Sequence, residues 1–349
     1  TLGSRVAGDL NSAPDPSFIG KKINDIFFHR NRLGVLADEN VIMSRSGEFF
    51  EFFPETVTSA LDTDPIDVAS THTKVSILQH AVSFDEELLL FSEQSQFMVT
   101  GGATLTASNI SINVTTEFEA DKRVKPVGSG SNVFFTFNKG NFSGVREFFV
   151  ASDTDTKKAD DITANVPKFV PANVFKLATS TTENILIALS SNEENALYVF
   201  QYYVAQNKRL QSAWHKWTYG TTTSDKILNI DFIENTLFIV NERSDGVYLE
   251  TIDVSPALTD TGETYLTHLD RKINNTQITE SYNAGTNQTT LTLPYTINNT
   301  MKVVGKSGAS NKAGQEIATV SQSGTSIVVT GDITAQNFFV GEQYEFEFQ

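Results

Sequence analysis

The chain has 349 residues, of which 39% are hydrophobic and 19% charged, and its formal net charge is −16. This composition is typical of a folded globular protein and excludes a disordered or fibrous chain. There are no cysteines, which excludes disulfide scaffolds, thiolate zinc sites and cysteine nucleophiles.

The N-terminal segment, residues 1–20, is polar, and its first residues lack the apolar core of a signal peptide. We predict that it is an extended linker or a flanking strand. No apolar stretch of the chain approaches the ~18 residues of a membrane span, so we expect no membrane anchor.

The aromatic residues favour strands over helices, because 26 Phe stand against 9 Tyr and 2 Trp. Phe and β-branched residues fit the pleated, half-buried surface of a sheet. The segment Thr56–Ala69 is the one place where we expect a helical turn, and Pro54 and Pro65 limit its length.

A repeated plan occupies most of the chain: an apolar strand, a polar turn, an apolar inner strand, a second turn and an outer strand. Inner strands such as Leu88–Phe91 and Val133–Phe137 are continuously apolar, as expected for strands buried on both faces. The five repeats are roughly 50 residues apart; they begin near Ile26, Leu78, Lys125, Val174 and Ile227.

This spacing predicts an all-β fold with a β-propeller of roughly 50-residue blades. A β-sandwich is the alternative, because it also has evenly spaced strands. We favour the propeller because the repeats keep both their order and their period.

The character of the sequence changes after Ser255-Pro256, where Asn and Thr become abundant. We therefore assign residues 1–256 to the propeller and 257–349 to a smaller, incomplete β-rich domain. Its expected strands are Ile317–Val320, Ser326–Thr330 and Gln343–Phe348.

The negative net charge limits which partners the protein can bind. A protein of net charge −16 repels phosphates over most of its surface, which argues against a DNA-binding module. It is compatible with a surface along which DNA slides without binding.

Two acidic segments have carboxylates close enough in the sequence to resemble cation sites. Asp153–Asp155 begins like a calcium loop, but Lys157 and Lys158 occupy positions for an oxygen ligand and the turn glycine. Asp62, Asp64 and Asp67 surround Pro65; a turn is the simpler interpretation, and these three are our candidates if a cation binds. No cofactor is predicted.

The five histidines are scattered without metal-site spacing, and we interpret them as structural or surface residues; they are His29, His72, His80, His215 and His268. Trp214 and Trp217 lie in one short strand, where strand alternation would place them on opposite faces. They form either a glycan-stacking platform or part of the core, and core packing is the commoner arrangement.

Several runs of the chain closely resemble tail tubular protein B, the tail nozzle protein family of T7-like podoviruses. The resemblance covers most of the chain to about residue 255 and is patchier beyond. The runs are Phe28–Gly34, Ala37–Ser46, Phe49–Pro54, Asp62–Val68, Leu88–Gly102, Gly144–Phe148, Gln211–Gly220 and Phe339–Tyr344.

The resemblance implies a structural protein of the virion tail, without catalytic residues and longer than this chain. It implies hexameric rings, an adaptor ring of tail tubular protein A, contacts with tail fibres, and a channel for DNA ejection. We expect the 349-residue piece alone to be monomeric. A tail-associated propeller that binds or hydrolyses glycans is the alternative; a cleft with two carboxylates near Trp214 or Trp217 would favour it.

Overall fold

The computed structural model describes residues 2–71, 76–84, 86–151, 156–205, 208–220, 225–256, 258–308 and 313–347. The described chain is all-β, and its strands form seven antiparallel sheets. No described helix is long and apolar enough to cross a membrane.

The first five sheets are meanders in which the strands pair in chain order. Sheet 1 comprises β1 (Ile23–His29), β2 (Arg32–Ala37), β3 (Asn40–Met43) and β4 (Ile66–Ala69); sheet 2, β5 (His80–Phe84), β6 (Glu87–Phe91), β7 (Gln96–Thr100) and β8 (Ser111–Thr116); sheet 3, β9 (Val127–Ser129), β10 (Asn132–Lys139), β11 (Phe142–Ala151) and β12 (Thr156–Asp161); sheet 4, β13 (Val174–Ser180), β14 (Ile185–Ser190), β15 (Glu193–Ala205) and β16 (Lys208–Thr218); sheet 5, β17 (Lys226–Ile233), β18 (Thr236–Arg243) and β19 (Gly246–Asp253).

These meanders are propeller blades, and they confirm the repeat that the sequence predicts. Inner strand β6 is buried along Leu88–Phe91, as its continuous apolar run indicates. Leu88 and Leu90 pack towards sheet 1, and Leu89 and Phe91 pack towards sheet 3. Because successive side chains of a strand point to opposite faces, one strand contributes to two cores. Each such side chain stabilises the fold by about 1.5–3 kcal/mol.

Two cross-strand pairs place a glycine opposite a phenylalanine. Gly34 of β2 pairs with Phe27 of β1, and Gly144 of β11 pairs with Phe137 of β10. In each pair the ring lies over the glycine: a Cβ atom would stand 2.1 Å from the Phe27 ring or 2.3 Å from the Phe137 ring. The glycine is therefore needed for the close approach of the ring to the neighbouring strand.

The chain divides into two compact units. Unit 1 is Thr1–Glu193 with Tyr198–His215, and unit 2 is Glu194–Leu197 with Lys216–Gln349. Sheet 5 belongs to unit 2 together with the two C-terminal sheets. The predicted boundary near residue 256 follows the change in sheet topology and remains a prediction.

The two C-terminal sheets do not follow chain order, and they share one core that includes Leu291, Val303, Ile327 and Phe338. Sheet 6 pairs β20 (Asp270–Asn274), β27 (Phe338–Glu342), β23 (Met301–Gly305) and β24 (Glu316–Ile317); sheet 7 pairs β21 (Thr279–Asn283), β22 (Gln288–Thr292), β26 (Ser326–Thr330) and β25 (Thr319–Ser323).

Two sequence-based expectations are wrong. The segment Thr56–Ala69 contains no helix: its first part is irregular and Ile66–Ala69 is strand β4. The final strand is Phe338–Glu342, whereas Gln343–Glu347 lies outside any strand. Buried Phe338 and Val340 place this strand in the core, and the charged alternation that follows has no partner strand in the described chain.

The N-terminal segment lies against sheet 1. Residues 2–20 hold no strand, and the Gly3 amide donates to the Phe50 carbonyl at 2.8 Å. Phe18 packs edge-on against Phe52 and joins Val35 and Ile42 in a small core. The segment therefore covers part of the outer face of the first blade.

Candidate functional site: buried charge networks

A buried arginine organises the first blade. Arg32, which begins β2, is 2% exposed. Its guanidinium donates to the carbonyls of Ser44 at 2.7 Å, Asp62 at 2.8 Å, Asp64 at 2.6 Å and Leu105 at 3.3 Å. Burial lowers the pKa of Arg32, and the Asp64 charge acts in the opposite direction. The acidic segment is thus held around Arg32 by its backbone.

The candidate cation ligands are not brought together. Asp64 Oδ2 accepts from the Leu61 amide at 2.8 Å, whereas Asp67 Oδ1 accepts from Asn40 Nδ2 at 3.0 Å. Asp62 is exposed and uses its carbonyl for Arg32. Among the described residues no group of three or more acidic or histidine side chains could hold a metal ion. Asp153–Asp155 lies outside the described residues.

Trp214 is part of an aromatic cluster in unit 1. Its ring lies 5.1 Å from Phe200 and 6.4 Å from Phe169, measured between ring centres. Its indole N–H donates to the Ile162 carbonyl at 3.0 Å. These contacts are those of a packing residue. Trp217 is half-buried and belongs to unit 2, and its predicted role in a glycan platform stays a prediction.

The histidines have separate environments. His29 is buried, and burial, aided by Arg30, lowers its pKa. The His80 Nε2 atom lies 2.9 Å from the Lys122 carbonyl oxygen, and burial is the main cause of its lowered pKa. His72 lies outside the described residues.

The strongest concentration of buried charge lies in unit 2. Arg243 and Asp225 side chains are each 1% exposed, with Arg243 Nη1 3.6 Å from Asp225 Oδ2. Arg243 also donates to both carboxylate oxygens of Glu250 on β19, at 3.0 and 3.1 Å. This bidentate pair fixes both side chains in one geometry.

Arg271 extends the network from sheet 5 to sheet 6. Its Nε atom lies 3.5 Å from Glu250 Oε1, and its Nη1 atom donates to Glu342 Oε1 at 3.1 Å. The guanidinium stands 3.9 Å from the centre of the Tyr295 ring, and the Tyr295 hydroxyl donates to the Arg271 carbonyl at 2.8 Å. One cation therefore joins carboxylates from β19 and β27.

Acidic groups outnumber basic ones in this network. Asp270 pairs directly opposite Glu342 in the β20–β27 register. Burial raises the pKa of Asp270, and the charges of Glu342 and Glu250 raise it further. Burial also raises the pKa of Tyr295 to about 12. The ion pairs of Arg243 with Glu250, of Glu250 with Arg271 and of Arg271 with Glu342 join sheets 5 and 6, whereas neither carboxylate oxygen of Asp225 has a hydrogen-bond partner among the described residues.

Sequence reasoning missed this network. The residues Arg243, Glu250, Arg271 and Glu342 are far apart in the chain, so their spacing carries no motif. Strand alternation could have indicated the position of Arg243, because Arg243 lies on the same face of β18 as buried Leu237 and Ile239. A charge at an inward position predicts a buried partner.

Comparison with known proteins agrees with the sequence resemblance. The family model of the bacteriophage nozzle protein matches residues 1–349. The chain belongs to the bacteriophage nozzle protein family. It is 34% identical over 289 residues to tail tubular protein gp12 of Escherichia phage T7. That match covers 82% of this chain and 36% of the relative, so the chain spans about a third of the length of the curated relative.

Membership of the nozzle family confirms the resemblance seen in the sequence. Solved propellers are also similar. Hsv2 of Kluyveromyces marxianus has a TM-score of 0.40 at 10% identity, with 82% of this chain and 80% of that chain covered. The WD40 domain of Toxoplasma gondii coronin has a TM-score of 0.39 at 12% identity, with 66% and 55% covered.

The runs that resemble the nozzle family coincide with the structural sites. Arg32 lies in the first run and contacts the Asp62–Val68 run through backbone carbonyls. Gly144 begins another run, and Glu342 lies in the last. Arg32, Gly144 and Glu342 therefore each contribute to packing or pairing of the sheets described above.

Proposed function

We propose that this protein forms part of the wall of a tail channel through which DNA leaves the virion. The match to the nozzle family over residues 1–349 carries this proposal. The proposed partners are further copies of the chain in a hexameric ring, the adaptor ring of tail tubular protein A, and a tail fibre.

The charge of the chain supports a passage role. With 42 acidic and 26 basic residues, the protein repels a DNA backbone and gains little from counterion release. A wall that attracted phosphate would retain the DNA that passes it. We infer that the surface facing the lumen carries more carboxylates than ammonium and guanidinium groups.

Cryo-electron microscopy of the assembled tail tests both parts of the proposal. The expected result is a ring of six copies around a lumen in which acidic side chains of this chain outnumber basic ones. A lumen rich in lysine would overturn the electrostatic argument, and a position away from the axial channel would overturn the channel role.

We further propose that the protein catalyses no reaction. The contacts of Trp214 with Phe200, Phe169 and the Ile162 carbonyl support packing over glycan stacking. Incubating the full-length protein with capsular glycans tests this directly. Release of oligosaccharides, abolished by a Trp217→Ala substitution, would favour the glycan-processing alternative.

A further inference from the structure

The blades of unit 1 show how this protein covers its sheets. Phe91 of sheet 2 packs against Phe135 of sheet 3, with ring centres 5.2 Å apart. On the other face of sheet 3, Phe134 packs against Tyr202 of sheet 4 at 6.1 Å. Sheet 3 is therefore covered on both faces by aromatic side chains of its neighbours within unit 1, as radial stacking requires.

Sheet 5 departs from this pattern on one face. Strand alternation places Tyr248 and Glu250 on the face that meets Arg271. The opposite face carries Val247, which is 60% exposed, and Leu249, which is 69% exposed. Leu249 pairs with half-buried Val240 on β18, whereas Val247 pairs with exposed Glu242, so the exposed apolar side chains of this face adjoin a carboxylate.

Sheet 5 also lacks an outer strand. Sheets 1 to 4 have four strands each, whereas sheet 5 has three, and no described strand pairs with the second edge of β19. A long strand that presents both an unpaired edge and an apolar face is a site for association, and native proteins normally cover it.

The first blade shows that this chain can cover a blade with its own segments. Phe18 and Phe52, which lie outside the strands of sheet 1, pack against Val35 and Ile42 on its outer face. For sheet 5, no comparable segment covers Val247 and Leu249 among the described residues.

We propose that residues outside 1–349 of the whole protein add a fourth strand to sheet 5 at the free edge of β19 and pack a further antiparallel β-sheet on this face. The occupant is thus the same polypeptide. The exposed face of sheet 5 determines the chemistry of this segment. We expect alternating apolar residues that contact Val247 and Leu249, and a strand whose backbone hydrogen-bonds to the free edge of β19.

The length of the T7 relative supports an occupant in the same chain. The 289 matched residues are 36% of that protein, so most of its length lies outside the match. A blade of this kind needs roughly 50 residues. A family member of that length has ample chain for one.

Site-specific photocrosslinking in the full-length protein tests the proposal. Leu249 is replaced by p-benzoylphenylalanine, light and isotopically heavy proteins are mixed, and crosslinked peptides are identified by mass spectrometry. The expected product joins position 249 to a peptide outside residues 1–349 of the same, unmixed isotope. A mixed-isotope product, a crosslink to another tail protein in assembled tails, or reaction with solvent alone would overturn the proposal.

A substitution provides the second measurement. In the full-length protein, Leu249→Lys should lower the midpoint of thermal unfolding by about 5 °C, because a buried leucine is replaced by a charge. Val320→Lys is the matched control, since Val320 is a strand residue of unit 2 that is 52% exposed. Equal midpoints for the two variants would contradict the proposal, and the crosslink remains decisive if Leu249→Lys fails to fold.

Discussion

At the residue scale, Arg32 shows how a buried cation is accommodated mainly by backbone carbonyls, with the Asp64 charge nearby. Its planar guanidinium has five N–H donors, and the carbonyls of Ser44, Asp62, Asp64 and Leu105 surround it. Each carbonyl carries a partial negative charge, so together they replace the lost hydration. The guanidinium in turn fixes two loops whose backbone has little regular structure of its own.

We predict that Arg32→Lys lowers the free energy of unfolding by about 3 kcal/mol, because one ammonium cannot satisfy carbonyls spread around a planar group. Urea unfolding followed by tryptophan fluorescence measures the change. Arg30→Lys is the control: Arg30 is exposed and donates to the single Gly102 carbonyl, so the expected change is below about 0.5 kcal/mol. Equal losses in the two variants would refute the role assigned to Arg32.

A second residue-scale effect concerns Asp270, whose pKa is raised by burial and by Glu342 and Glu250. The folded state holds this proton to higher pH than the unfolded state does. Its contribution to stability is therefore complete below the unfolded pKa of about 4 and is lost as pH rises through the folded pKa.

The substitution Asp270→Asn should remove this pH-dependent loss of stability. Relative to the parent protein, it should gain stability as pH rises from about 4 towards neutrality, because the amide has no proton to release. Thermal unfolding across that pH range measures the difference. Asp253→Asn, at an exposed position, serves as the control for replacing a carboxylate with an amide. A profile for Asp270→Asn that matches the profile of this control would contradict the assignment.

At the scale of elements, the glycine–phenylalanine pairs determine how closely adjacent strands pack. Phe137 lies over Gly144 on the next strand, and the Arg146 guanidinium stands 4.6 Å from the centre of the same ring. The ring is therefore confined between backbone on one side and a cation on the other. Displacing it would disturb both contacts.

We predict that Gly144→Ala destabilises the protein by about 1–3 kcal/mol, because the new methyl group meets the confined Phe137 ring. Gly128→Ala in the same sheet is the matched control, since its nearest neighbours stand at 3.8 Å and leave room for a methyl group. Chemical denaturation of both variants provides the test. A loss of the same size at Gly128 would show that strand glycines are equivalent here.

The strands differ in how well the sequence predicts them. Inner strands such as Leu88–Phe91 were predictable because burial on both faces demands a continuous apolar run. The outermost strand Ser111–Thr116 was not, because it is polar and mostly exposed. Arg32 lies in one of the runs that resemble the nozzle family. Its role was not predictable, because it depends on hydrogen bonds to backbone carbonyls, which the pattern of side chains does not indicate. Glu342 and Arg271 meet through tertiary folding alone, across 71 positions of the chain.

At the scale of the whole molecule, the chain combines two kinds of construction. The blades are built from neighbouring strands and pack through apolar faces, whereas sheets 5 and 6 are joined by buried ion pairs. Removing one partner of a buried pair typically costs 3–5 kcal/mol, because the other charge is left without compensation. The ion pairs between sheets 5 and 6 are therefore stable only when both charged partners are present.

The strand order of sheet 6 has a consequence for biosynthesis. The described pairings of each of the five meanders involve only strands that are consecutive in the chain, whereas sheet 6 needs β27, which carries Glu342. Arg243 and Glu250 can pair at once, seven positions apart, but Arg271 must wait for Glu342. Among the described strands, the local pairings of the meanders can therefore form before β27 has emerged, and β27 then completes the ion pairs that join sheets 5 and 6.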